Sequence, residues 1–166
     1  VEDFGLYRAT IGLELALKSI SRESGFNTSP QVHFGAYIID KVEDASFPTV
    51  AVEFGDLQPL TDDNVFGGTE SFSTGLMRFN WPAYVWGYCR TSEGKRALYE
   101  AGTALLADVM GAIYAEETLP IGGVGTVLMV NAGEVIFDME SLAQDGLGYF
   151  MSEFNLVVNI NRGANP

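Results

Sequence analysis

The sequence predicts an α+β domain in which two helices pack on one face of a mostly antiparallel, mixed sheet of about five to six strands. Three observations predict it. Two segments carry apolar residues at helical spacing on one side only. Several others alternate apolar and polar residues with the period of a strand, and Gly- and Asp-rich stretches separate them. One-sided helices and alternating strands each leave an apolar face that must be buried against the other. With 166 residues, 47% apolar and 19% charged, residues 1–166 read as a single domain with a substantial core.

The first twenty-odd residues read as an amphipathic helix with Asp3 as its N-cap. Phe4, Tyr7, Ile11 and Leu15 form its stripe, Leu13, Leu17 and Ile20 widen it, and Gly25 stands where a helix stop is expected. After a turn at 27–30, "VHFGAYIIDKV" reads as a strand and "FPTVAVEFGD" as its hairpin partner. Residues 56–73 hold no period and form a long loop between the second and third strands. Loops of that length are uncommon and are often functional.

The stretch "MRFNWPAYVWGYC", residues 77–89, reads as the next strand. One of its faces carries Met77, Phe79, Trp81, Ala83, Val85, Gly87 and Cys89. The other runs from Arg78 and Asn80 through Pro82 to Tyr84, Trp86, Tyr88 and Arg90. Pro82 cannot donate to a ladder, so it marks an edge or a bulge where pairing changes. Thr91 or Ser92 then caps a helix that reaches about residue 116, buried along Leu98, Ala101, Leu105, Val109 and Ile113, with Leu106 and Met110 broadening the stripe. "TVLMV" reads as a short strand, "NAG" as a turn into a strand at "EVIFDME", and residues 150–161 as the last strand. The tail 162–166 is expected to fray.

Charge excludes more than any motif does. A net charge of −13, with no Lys or Arg between Lys41 and Arg78 or between Arg96 and Arg162, repels phosphate backbones and anionic membranes. Stacking of bases on Trp81, Tyr84, Trp86 and Tyr88 is therefore not expected, because no basic groove can accompany it. No apolar run approaches the roughly 20 residues of a membrane span, and the acidic start Val1-Glu2-Asp3 is unlike the basic start of a signal peptide.

No catalytic grouping emerges, and neither a cofactor nor a resident metal is expected. Ser92 and Lys95 match a Ser-x-x-Lys spacing but lack the companion elements of that chemistry. "IGGVGT", residues 121–126, precedes a strand where a phosphate-binding loop precedes a helix. His33 is the single histidine, which removes two-His metal sites. Asp62, Asp63, Asp138, Glu140 and Asp145 follow no EF-hand spacing and read as solvated loop charge. Cys89 falls on the apolar face as a buried thiol. The face Tyr84, Trp86, Tyr88 remains, with the profile of an interface hot spot. The competing reading has the long helix cover these rings.

In element order and local pattern the chain resembles the tail terminator proteins of long-tailed bacteriophages, also called tail-completion or head–tail joining proteins. The resemblance lies in the N-terminal amphipathic helix, the "FPTVAVEFGD" strand, the long strand feeding the "GKRALYEAGTALLADVMGAIYAE" helix, the "EVIFDME" segment and the closing "FNLVVNIN" strand. The chain is longer than the small members, chiefly at 56–73 and around Gly122 and Asp145. The resemblance implies a hexameric ring of copies that ends the tail tube and docks to the head–neck connector protein. It implies no catalysis, and a location in the virion tail or neck after assembly in the host cytoplasm. Tyr84, Trp86 and Tyr88, with Leu57, Pro59, Leu60, Val65 and Phe66 of the long loop, are the candidate contacts between subunits or to the tube protein. The alternatives are another tail-tube or neck component, or a small cytoplasmic α+β enzyme or ligand-binding domain with Trp81 and Trp86 walling a pocket.

Overall fold

The computed structural model describes residues 5–34, 47–60, 76–115 and 127–161. Along the chain these are α1 (Gly5–Lys18), a 3-10 turn (Arg22–Ser24), β1 (Gln31–Phe34), β2 (Thr49–Phe54), β3 (Gln58–Pro59) and β4 (Leu76–Arg90). They continue as α2 (Lys95–Tyr114), β5 (Val127–Asp138), a second 3-10 turn (Ala143–Asp145) and β6 (Leu147–Asn161). The strands form one mixed sheet in the order β1-β2-β4-β6-β5, with β3 continuing the β2 side of β4. The expected α+β class, with its mixed sheet and two helices, is the fold observed.

β4 and β6 organise the sheet, because their fifteen-residue ladder from Leu76↔Asn161 to Arg90↔Leu147 is its longest pairing. The pleat sends alternate side chains to opposite faces. Trp81, Ala83, Val85 and Cys89 join Phe150, Phe154, Leu156 and Val158 in the core formed with the helices. Gly87 lies opposite Phe150 in that ladder, and a Cβ there would fall inside the Phe150 ring.

Pro82 sits where the second neighbour of β4 changes. Ala83 pairs with Phe54 of β2, Asn80 pairs with Gln58 of β3, and between them the Pro82 carbonyl accepts from Gly55 N at 2.8 Å. The missing proline N–H therefore faces the gap between two partners, where no ladder bond is lost.

Four expectations are corrected. β1 and β2 are not a hairpin: they pair in parallel, Gln31↔Thr49 to Phe34↔Val52. A parallel pair needs a crossover of about a dozen residues, and the interval between these strands is long enough to provide one. "NAG" is not a turn. β5 runs through it, and the register shifts from Ala132↔Phe154 to Val135↔Ser152, which inserts one extra residue as a bulge. The long helix begins at Lys95 after Gly94 at φ 97, with no side-chain cap; the Thr91 hydroxyl instead accepts from Glu93 N at 3.1 Å.

The fourth correction concerns α1. It ends at Lys18, and Gly25, at φ 91, closes the separate 3-10 turn instead. The buried side of α1 carries Ala9, Leu13, Ala16 and Leu17, with Ile20 buried just beyond its end, whereas Leu15 is 56% exposed. Both stripes have helical spacing, and the one that met the sheet was set by packing.

One buried acid joins α2 to the loop between the first 3-10 turn and β1. Asp108, in the middle of α2, accepts from Asn27 N and Nδ2 at 3.2 and 2.8 Å, and from Thr28 N and Oγ1 at 2.8 and 2.6 Å. Within 101–115 it is the sole charged residue. Asp3, most of the first predicted strand beyond Phe34, and the tail 162–166 lie outside the described residues.

Candidate interaction surface

The sheet face opposite the helices is built from the alternate positions of the same strands. Its rows run across the sheet as Gln31–Thr49–Tyr88–Tyr149–Asp138, His33–Ala51–Trp86–Met151–Ile136 and Glu53–Tyr84–Glu153. Tyr84, Trp86 and Tyr88 of β4 are therefore not covered by α2, which lies on the other face. Trp81 and Trp86 lie five positions apart on one continuous strand, so they project to opposite faces and cannot wall one pocket. Trp81 stacks on Phe54 at 4.3 Å between centroids and donates from Nε1 to Gly55 O at 3.0 Å.

The centre of the face opposite α1 and α2 is buried. Thr49, Ala51, Tyr88 and Met151 are buried, with Tyr88 only 6% exposed. Trp86 is half-buried, its ring tilted against that of Tyr149 at 6.2 Å between centroids. Tyr84 is also half-buried and lies across Gly55, where a Cβ would stand 3.1 Å from its ring. Of the three rings singled out from the sequence, Tyr84 and Trp86 thus keep accessible edges and Tyr88 does not.

The residues predicted from the long loop divide. Leu57 packs against the core cluster, Pro59 is exposed in β3 opposite Phe79, and Leu60 is 46% exposed. Val65 and Phe66 lie outside the described residues, as do Asp62, Asp63 and the glycine-rich 121–126. Sequence reading missed the carboxylates beside Tyr84. Glu53 is exposed and Glu153 half-buried, one on each neighbouring strand. The Glu153 carboxylate reaches over Gly133 and accepts from Glu134 N at 3.3 Å. Each acid alternates correctly in its own strand; only the cross-strand register puts both beside one ring.

Asp138 and Glu140 have local structural partners. Asp138 accepts from the hydroxyl and the N–H of Ser141 and from Glu140 N, at 2.6, 2.9 and 3.0 Å. These bonds, the Ser141 hydroxyl first, hold its carboxyl down at about 2. Glu140 accepts from the Tyr99 hydroxyl at 3.1 Å, which raises the Tyr99 pKa, and Lys95 Nζ stands 3.7 Å away. Lys95 therefore turns to Glu140, while Ser92 precedes the helix, so the Ser-x-x-Lys spacing does not place both on one helical turn. Cys89 is buried as expected, and burial pushes its thiol up to about 12.

Fold and surface together define an α+β protein with one helix-covered sheet face and one aromatic face edged by carboxylates. No protein-family model matches the chain, and no curated protein matches it. Among solved structures it is similar to that of the bacteriophage SPP1 gp17 protein, at 15% identity over 96% of this chain and 94% of that one, with a TM-score of 0.40. A superposition that loose carries no functional argument.

Proposed function

We propose that this chain is a non-enzymatic structural component of a phage virion, acting at the tail–neck junction. Copies assemble head-to-tail into a hexameric ring that ends the tail tube and joins it to the head connector. The observation that carries the reading is a sheet with two unlike apolar edges. At one edge β5 exposes Val135 and Ile136, at 40% and 42%; at the other, the short β1 exposes Phe34 at 38%. A head-to-tail contact requires two different, mutually fitting surfaces on each copy, and among the described strands β1 and β5 each pair on one side only, which leaves backbone groups for pairing. The net charge of −13 suits a ring that DNA must pass without being gripped, since like charge repels its phosphates.

Light scattering on the purified protein should find a ring-sized species, and negative-stain images with tail tubes should show it seated on the tube end. Ile136→Asp places a charge on the open edge and should leave a folded monomer with assembly lost. A wild-type protein that stays monomeric at high concentration and carries a bound metabolite would refute the reading.

A further inference from the structure

The two outermost described strands lack the usual guards of a sheet edge. Edge strands are commonly protected by charges, proline or a bulge, because their outward backbone groups recruit further strands. β1, Gln31–Phe34, holds no Lys, Arg, Asp, Glu or Pro at any of its four positions. β5 is guarded over its first part only, by the bulge between Ala132 and Val135 and by the exposed Glu134. Past the bulge, Val135, Ile136, Phe137 and Asp138 run in unbroken register with β6. Val135 and Ile136 are 40% and 42% exposed there. The two unguarded stretches therefore match in length.

They also match in direction. β1 runs parallel to β2, and three antiparallel steps then lead through β4 and β6 to β5. β1 and β5 thus point opposite ways at the two ends of the sheet. Copies set side by side in one orientation, with their strands along the ring axis, bring β5 of one against β1 of the next as an antiparallel pair, the commoner arrangement.

Alternation of side chains sets the register of that pair. Val32 and Phe34 lie in line with Val50 and Val52 on the helix side of the sheet, and Val135 and Phe137 lie in line with Ser152 and Phe150 on the same side. With all four positions paired, Phe34 meets Val135 and Val32 meets Phe137, each a ring against a β-branched side chain, which is a favourable cross-strand combination. On the other side Gln31 meets Asp138, an amide donor beside a carboxylate. A slip of one residue sets Phe34 opposite Ile136, whose side chain leaves by the other face. A slip of two leaves half of each stretch unpaired.

We infer that β5 of one copy adds to β1 of the next, residues 135–138 against 31–34 in antiparallel register, so that the sheets of successive copies join into one. This rests on the ring reading and names the seam between its copies. Each copy gives an edge on one side and receives one on the other, which is the head-to-tail contact that a closed ring needs. Main-chain hydrogen bonds hold the seam, and the alternating side chains make it specific.

Cysteine pairs across the seam test it, with oxidised samples run on non-reducing gels and light scattering recorded on the same samples. Phe34→Cys/Val135→Cys and Gln31→Cys/Asp138→Cys are both in register, on opposite sides of the sheet. Between them they cover both spacings of an antiparallel ladder, about 4.5 and 5.5 Å between Cα atoms, within the disulfide range of about 4.4–6.8 Å. Phe34→Cys/Ile136→Cys is one position out of register and sends its side chains to opposite faces. The native Cys89 is buried and stays out of the reaction. The in-register pairs should give a ladder of linked copies, on the order of tenfold stronger than the out-of-register pair, whose side chains point apart. An assembled species with no ladder from either in-register pair would overturn the inference and leave the ring standing. A ladder of equal strength from Phe34→Cys/Ile136→Cys would overturn it as well. A wild-type protein that scatters as a monomer at every concentration would refute the ring itself, and the seam with it.

Discussion

Replacing Asp108 with alanine should cost the domain about 3–5 kcal/mol, worked from the donors it leaves behind. The carboxylate is 3% exposed and accepts four bonds. Asn27 is exposed, so its N–H and amide can turn to water after the change. Thr28 is buried, and its N–H and hydroxyl would be stranded. Two buried donors without acceptors cost about 1–3 kcal/mol each, and loss of the charge-assisted bonds to Asn27 adds to that. For a domain of this size each kcal/mol moves the midpoint by about 2–4 °C, so Tm should fall by about 10 °C. Urea unfolding followed by tryptophan fluorescence provides the free energy, with Trp81 as the buried reporter. Thr28→Val, combined with Asp108→Ala in a double-mutant cycle, should show strong coupling. A loss below about 1 kcal/mol, or additive effects in the cycle, would refute a buried clamp and leave the contact as surface decoration.

Gly87→Ala should destabilise by about 1–3 kcal/mol through overpacking, because the added Cβ meets the Phe150 ring in the core; unchanged urea unfolding would contradict that packing. Cys89 should resist a maleimide at pH 8 in the native state and react at once in urea, since a thiol pushed up to about 12 holds on the order of one thiolate in ten thousand. Native labelling at the unfolded rate would argue against its burial. Asp138 has a folded pKa of about 2, below its unfolded value of 3.8, so its stabilisation is complete above about pH 4 and is lost as the pH falls towards 2. The stability gap between wild type and Asp138→Asn should therefore close across that window, and a gap independent of pH would dismiss the turn-capping account.

The sequence by itself determined those features that rest on alternation and periodicity along the chain. Alternation from Met77 to Cys89 assigned Trp81 and Val85 to one face and Tyr84 and Trp86 to the other, because the pleat is a local property of an extended backbone. Pro82 announced a change of partner for the equally local reason that it lacks an N–H. The long helix was legible from its stripe at Leu98, Leu105, Val109 and Ile113. Asp108 interrupted that stripe visibly, but its partners lie 80 and 81 residues away, and nothing at that distance is marked by spacing. Only the tertiary structure decided that β1 and β2 run parallel, that "NAG" is a bulge within one strand, and that α1 turns Leu13 and Leu17 inward and Leu15 outward. It alone brought Glu53 and Glu153 to either side of Tyr84. In each case the deciding quantity is a register or a choice between faces, set by the free energy of burial summed over the whole sheet. A single segment carries the alternatives at nearly equal cost and leaves that choice to the rest of the fold.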